Sequence, residues 1–91
     1  MQRKIIIDEA GVLMITLLKY GRLSLLELRE KSDLSNQTVY NNVKRLLEMG
    51  LIQEELEQEF PRRRLISLTE KGKRVAEKLE EIEGELSKND L

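Results

Sequence analysis

Between Ser24 and Ile52 the sequence SLLELREKSDLSNQTVYNNVKRLLEMGLI carries two helix starts a turn apart and one glycine stop. Ser24-x-x-Glu27 is a capping box, in which the serine hydroxyl accepts from the Glu27 amide and the Glu27 carboxylate accepts from the Ser24 amide. Leu23 and Leu28 stand at staple spacing around it and fix how the chain enters the helix. Ser35 opens a second helix in the same manner, with Leu34 and Val39 as its staple pair. Gly50 supplies the left-handed residue that ends that helix, and Leu51 folds back toward Leu46. Two starts this close together oblige the helices to meet at a fixed angle.

The second helix divides its labour by face. Val39, Val43, Leu46 and Leu47 recur at i, i+4, i+7 and i+8, one buried stripe. About half a turn round lie Gln37, Thr38, Asn41, Lys44 and Arg45, with Glu48 the one acid on that side. Amides can pair with an adenine edge, arginine with guanine, and lysine and threonine with phosphates, so this face suits a DNA major groove. An ordinary solvated helix face is the competing account on composition alone.

The segment ELREKSDLSNQTVYNNVKRLLEMGLI, followed by RRRLISLTEKGKRVAEKL, resembles the winged helix-turn-helix of MarR- and ArsR-type transcriptional regulators. The resemblance runs from Ser24 to Leu79. It implies a mainly α fold with a small β-hairpin: a three-helix core, a wing and a long C-terminal helix. The chain departs from the pattern at two places. Arg29 stands where a small residue is usual, which asks the helices to separate or the side chain to point outward. Asp33 replaces the usual turn glycine, a mild change because aspartate tolerates the left-handed conformation.

Ninety-one residues make one small domain. It divides into a winged-helix core over 5–69 and a C-terminal dimerisation helix over 70–87. Sixteen Lys and Arg against 17 Asp and Glu leave a net charge of -1, so any nucleic-acid binding must come from a local patch. With no Cys and no His, disulfides, thiolate metal sites and His-based catalysis are excluded. An aromatic content of 3% argues against a stacking platform for single strands. No apolar run is long enough for a membrane span and no signal peptide is visible, which points to the cytoplasm. The charged content of 36%, without Cys, resembles a hyperthermophile's composition, a bias that long helices share.

Elsewhere the chain gives shorter signals. Met1 to Lys4 is a basic start expected to fray. Ile5-Ile6-Ile7 fits a strand or a first helical turn. Asp8 suits a helix N-terminus, and Ala10 to Tyr20 reads as helix stopped by Gly21. Val12 to Leu18 is apolar nearly all round, so a second face wants cover; we expect a second subunit there, with cover by the C-terminal helix of the same chain as the alternative. Arg22-Leu23 fits a stub of strand. Two strands, about Leu51 to Glu57 and Arg62 to Leu68, with a connection over Gln58 to Pro61, make the wing. At strand period Arg62 and Arg64 share a face, and Glu54, Glu55, Glu57 and Glu59 stand ready to pair with the arginines. We expect one arginine neutralised across the ladder and one or two free for DNA. Thr69 caps the last helix, where Val75, Leu79, Ile82 and Leu86 form a narrow heptad seam. Gly84 weakens that helix, and Lys88 to Leu91 is expected to be disordered.

These features predict a homodimeric, double-stranded-DNA-binding transcriptional regulator, with the second helix in the major groove and the wing on the backbone or minor groove. DNA contacts fall to Ser35, Asn36, Gln37, Thr38, Tyr40, Asn41, Lys44 and Arg45 on the second helix and to Arg62, Arg63 and Arg64 on the wing. Dimer contacts fall to Val12, Ile15, Val75, Leu79, Ile82 and Leu86. The alternatives are a protein-interaction module on the same scaffold and a sequence-neutral architectural DNA binder. Nothing suggests an enzyme, a metal or a cofactor, and no small-molecule effector is named by the sequence.

Overall fold

A computed structural model describes residues 6–88. Four helices and three short strands follow in the order α1 (Glu9–Tyr20), β1 (Leu23–Ser24), α2 (Leu25–Ser32), α3 (Asn36–Glu48), β2 (Ile52–Leu56), β3 (Arg64–Leu68) and α4 (Glu70–Ser87). The strands form one antiparallel sheet of order β1-β3-β2, with Leu23 opposite Ile66 and Glu54 also opposite Ile66 from the other side. This is a winged helix-turn-helix with a long last helix.

Each helix start follows from its cap. The Asp8 carboxylate accepts from the Gly11 amide at 3.1 Å, and α1 begins at the next residue. At α2 both halves of the capping box form: the Ser24 amide donates to Glu27 Oε1 at 2.9 Å and the Glu27 amide to Ser24 Oγ at 3.2 Å. Ser24 is also the last residue of β1, so one serine ends a strand and starts a helix. Asp33 takes φ 60°, ψ 31°, the left-handed turn that redirects the chain from α2 to α3. The Ser35 hydroxyl caps α3 by accepting from the Thr38 amide at 3.2 Å.

The stop of α3 is a full Schellman motif. Gly50 N–H donates to Leu47 O and Leu51 N–H to Leu46 O, both at 3.0 Å. Thr69 then clamps this corner: its hydroxyl donates to Gly50 O at 2.8 Å and its amide to Leu51 O at 3.1 Å. The same hydroxyl accepts from the Gly72 amide at 3.0 Å, capping α4. The end of α3 and the start of α4 are thus locked together through backbone atoms.

Leu13, Leu28, Leu46, Ile66 and Val39 are the most deeply buried large side chains, and they come from α1, α2, α3 and β3. Ile7 is buried but lies in a bend ahead of α1, so the isoleucine run contributes neither strand nor helical turn at its described residues; Ile5 lies outside them. Met1 to Lys4, and Asn89 to Leu91 of the C-terminal stretch, also fall outside the described residues, while Lys88 caps α4.

The apolar circumference of α1 is covered within the chain. Leu13, Met14, Ile15, Thr16 and Leu17 are all buried, because α1 packs on α2, α3, β3 and α4 at once. Thr16 meets this burial by donating its hydroxyl to Val12 O at 2.8 Å. The expected need for a second subunit over this face is therefore corrected: α4 supplies much of the cover. Ile15 is buried, Val12 is half-buried, and Val75 and Leu79 pack against the chain's own core. The seam on α4 is left with Ile82 and Leu86, which stay 43% and 51% exposed.

Two glycines of α4 should respond oppositely to alanine. A Cβ at Gly72 would lie 1.9 Å from the Leu51 carbonyl oxygen, a backbone atom that cannot turn aside. Helix propensity favours alanine, but the clash outweighs it, and Gly72→Ala should destabilise by about 2 kcal/mol or more. A Cβ at Gly84 meets nothing within 4 Å, so Gly84→Ala should stabilise by about 0.5–1 kcal/mol. Urea denaturation of both variants checks the pair of signs.

Candidate nucleic-acid interface

The buried side of α3 is made by Val39, Val43 and Leu46 together with Asn42. Asn42 is the polar member that the sequence reading passed over. Its Nδ2 donates to Thr38 O at 2.8 Å and its Oδ1 accepts from Arg45 Nη1 at 3.2 Å, so it enters the boundary of the core fully bonded. Its position, three residues after Val39 and three before Arg45, was the available signal.

Opposite this side, Asn36, Gln37, Asn41 and Lys44 are exposed. Gln37 Nε2 donates to Asn41 Oδ1 at 3.1 Å, joining the two amides one turn apart into a single polar ridge. Ser35 is exposed and gives its hydroxyl proton to Thr38 Oγ1 at 2.9 Å, and Thr38 is half-buried. Helices α1, α2 and α4 each carry an acid in the first turn, whereas α3 has none. The positive end of α3 is thus capped by a neutral hydroxyl and keeps its attraction for anions.

Arg45 turns off this ridge. It donates to Asn42 and lies 3.8 Å from the Asp8 carboxylate at the start of α1, both groups largely exposed. Helical geometry explains the turn: Arg45 is three residues past Asn42 and so leans toward α1 instead of away from the core. Lys44 is left as the cation of the outward face, with Glu48 beside it.

On the other flank, a groove of about 430 Å³ runs between α2 and α3, lined by Leu25, Leu26, Arg29, Asn36, Gln37 and Tyr40 among others. Leu26 and Tyr40 are about half exposed there, and the half-buried Arg29 forms part of the wall. Leu25 and Leu26 also border a second depression that reaches Arg62, Arg63 and Arg64. One continuous surface therefore leads from α3 past the start of α2 to the wing.

The wing arginines are more committed than expected. Strands β2 and β3 are shorter than the sequence suggests, so Arg62 and Arg63 precede the ladder and only Arg64 belongs to it. Arg63 closes on Glu57 with Nε and Nη2 both at 2.9 Å, while its backbone amide donates to the same carboxylate at 3.2 Å. Arg64 sits opposite Leu56 and reaches diagonally to Glu54, with Nε at 2.7 Å. Arg22 pairs with Glu55 at 3.2 Å. Two wing arginines are neutralised instead of the expected one. Arg62 makes no ion pair among the described residues.

A family model for the ArnR1-like winged-helix domain matches residues 5–85. The chain belongs to the ArnR1-like winged-helix family. Among solved structures, this ArnR1-like domain is similar to the Neisseria meningitidis MarR family regulator NMB1585, with 35% identity and a TM-score of 0.73 over 87% of this chain and 56% of that one. Bordetella bronchiseptica BpsR, whose DNA binding is regulated by 6-hydroxynicotinic acid, shares the fold at TM-score 0.80 and 20% identity, over 88% of this chain and 61% of that one. A transcriptional regulator homologue from Pyrococcus horikoshii OT3 shares it at TM-score 0.72 and 19% identity, over 91% of this chain and 83% of its own. The ArnR1-like domain thus spans 61% and 56% of BpsR and NMB1585. No curated protein sequence matches the chain. No helix among the described residues is long and apolar enough to cross a membrane.

Two carboxylates of the ArnR1-like domain titrate below their ordinary range. Glu27 is lowered by the hydrogen bonds from the Ser24 amide and hydroxyl, and Glu57 by the bonds from the Arg63 side chain. The same contact raises Arg63. A carboxylate with a lowered folded pKa adds stability above its unfolded value and loses it as pH falls through the folded one. The melting temperature should therefore hold from pH 7 down to about 4.5, the ordinary value of both groups, and fall below it. Glu27→Gln keeps an acceptor for the Ser24 amide without a titrating group, so its melting temperature should fall less steeply over the acid range. A slope equal to that of the unsubstituted chain would remove Glu27 from the account.

Proposed function

We propose that this chain is the DNA-binding unit of a transcriptional regulator, acting as a homodimer with α3 in the major groove. The observation that carries the reading is the exposure of Gln37, Asn41 and Lys44 on a helix whose opposite side is sealed by Val39, Val43 and Leu46. A recognition helix needs both: a side that reads and a side that cannot move. Gln37 and Asn41 have the donor and acceptor set for base edges, Lys44 suits phosphate, and the acid-free first turn of α3 accepts a phosphate close to it. Ser35, Asn36, Thr38 and Tyr40 flank this contact, and Arg45 lies at its edge, where Asp8 competes for it.

A second subunit is held through the exposed end of α4, where Ile82 and Leu86 protrude. Two-fold symmetry would then set the α3 helices about 34 Å apart over a palindromic site. BpsR is regulated by a small hydroxylated pyridine acid. Nothing in this chain names a corresponding effector.

A protein-interaction role on the same scaffold is favoured by one observation, the pairing of Arg22, Arg63 and Arg64 with wing glutamates, which leaves the wing nearly neutral. Mobility-shift titration at low salt separates the two readings. Binding to duplex DNA supports the regulator, and absence of binding even to non-specific duplex supports the interaction module.

Two variants test the division of roles. Asn41→Ala should cost about 1–3 kcal/mol on a selected site and relax the base preference there. Equal weakening on every sequence would make Asn41 a backbone contact. Arg62→Ala should lower the slope of log affinity against log salt by about one unit, whereas Arg64→Ala, its charge held by Glu54, should leave the slope almost unchanged.

A further inference from the structure

Beside the polar ridge of α3 runs a row of different chemistry. Asn36 and Tyr40 stand one turn apart, as Gln37 and Asn41 do, so the two rows lie next to each other along the helix. Tyr40 lines the groove between α2 and α3, whose walls are completed by Leu25, Leu26 and Val39. Leu26 and Tyr40, one on each helix, stay 57% and 49% exposed. A lone apolar side chain at a surface needs no explanation, but two that share one groove form a patch that water covers poorly. Among the described residues Arg29 is the one charged member of this lining. A surface that met only phosphate would gain from lysine or arginine at both exposed positions. Here they are leucine and tyrosine.

We infer that this groove receives the C5-methyl group of a thymine, with Tyr40 and Leu26 against the methyl while Gln37 or Asn41 bonds the adenine edge beside it. The inference rests on the regulator reading above and adds to it a choice of base. In the major groove an A·T pair presents N7 and N6 of adenine and then O4 and the methyl of thymine, so an amide partner and an apolar partner stand next to each other. The adjacent rows of α3 offer the same two chemistries in the same arrangement. A G·C pair has no methyl and would leave the apolar row against polar edges. The groove shares Asn36 and Gln37 with the outward face of α3, so a duplex seated on the ridge covers the groove as well. That continuity favours a base over a peptide side chain or a second copy of the chain as the occupant.

Deoxyuridine keeps the hydrogen-bonding edge of thymine and lacks its methyl, so replacing each thymine of a selected duplex in turn tests the groove directly. At the thymine that enters the groove, the replacement should weaken binding about fourfold, the equilibrium worth of one buried carbon. Tyr40→Phe keeps the ring and should retain that factor. Tyr40→Ala should bind the thymine duplex more weakly and no longer distinguish it from the uracil one, with an unchanged salt slope because no charge is lost. Leu26→Ala should reduce the factor in part. Adding Asn41→Ala should weaken each of these variants to a similar degree, since the ridge stays seated. Uracil tolerated at every position by a chain whose binding still depends on Asn41 would overturn the methyl site alone, and absence of any duplex binding would overturn the regulator reading with it. Loss of the factor in Tyr40→Phe would assign it to the hydroxyl and refute the apolar contact. A uracil penalty untouched by either alanine variant, with a lowered mass in light scattering, would give the groove to a second copy of the chain.

Discussion

The backbone contact between Gly72 and the Leu51 carbonyl sets the geometry that the rest of the domain inherits. At 1.9 Å from a would-be Cβ, that oxygen leaves room for hydrogen alone. Because α4 can approach this closely, Thr69 reaches both Gly50 O and Leu51 O, and the corner that ends α3 is held by the hydroxyl and the amide of that one cap residue. The N-terminal end of α3 is held by Ser35 and the left-handed Asp33, its flank by Val39, Val43 and Leu46 in the core. A helix fixed at both ends and along one side presents its remaining side without freedom to rotate, and preorganisation of that kind lowers the entropy lost on binding.

Charge is distributed to the same end. The chain as a whole is nearly neutral, with no long-range field to gather a polyanion. Among the described residues four arginines are spent internally: Arg22, Arg63 and Arg64 on wing glutamates, Arg45 on Asn42 and Asp8. What stays uncommitted is amide, hydroxyl and a few cations beside an exposed aromatic. Such a surface depends on shape and local chemistry more than on Coulomb attraction, and its proposed DNA binding should be correspondingly selective and modest in non-specific affinity.

Much of the fold was legible because its determinants are local. The Ser24–Glu27 box, the Ser35 cap, the Gly50 stop and the Thr69 cap each act within a few residues, and each forms as the spacing requires. What was not legible depends on distant partners. The cover over α1 comes from α4, some sixty residues later, and an all-round apolar helix looks the same whether its partner lies in the same chain or another. The wing arginines could be paired with any of four glutamates, and register decided it: Arg64 opposite Leu56 brings Glu54 into diagonal reach, while Arg63, just outside the ladder, folds onto Glu57. Arg45 and Asn42 were hidden for a related reason. A helical wheel places a residue within about a third of a turn, and only the packing against α1 tells which side of that range the arginine takes.

The central claim is that the ridge of Gln37, Asn41 and Lys44 meets nucleic acid while the far side of α3 stays buried. Side-chain amide signals in a nitrogen–proton correlation spectrum report on it directly, because Gln37 and Asn41 are exposed whereas Asn42 is buried and bonded. On titration with a selected duplex, the account predicts large shifts for the Gln37 and Asn41 side chains and for the backbone of residues 35–45, with Asn42 Nδ2 nearly still. Shifts confined to α4, or a ridge that stays unmoved while the duplex is bound elsewhere, would contradict it.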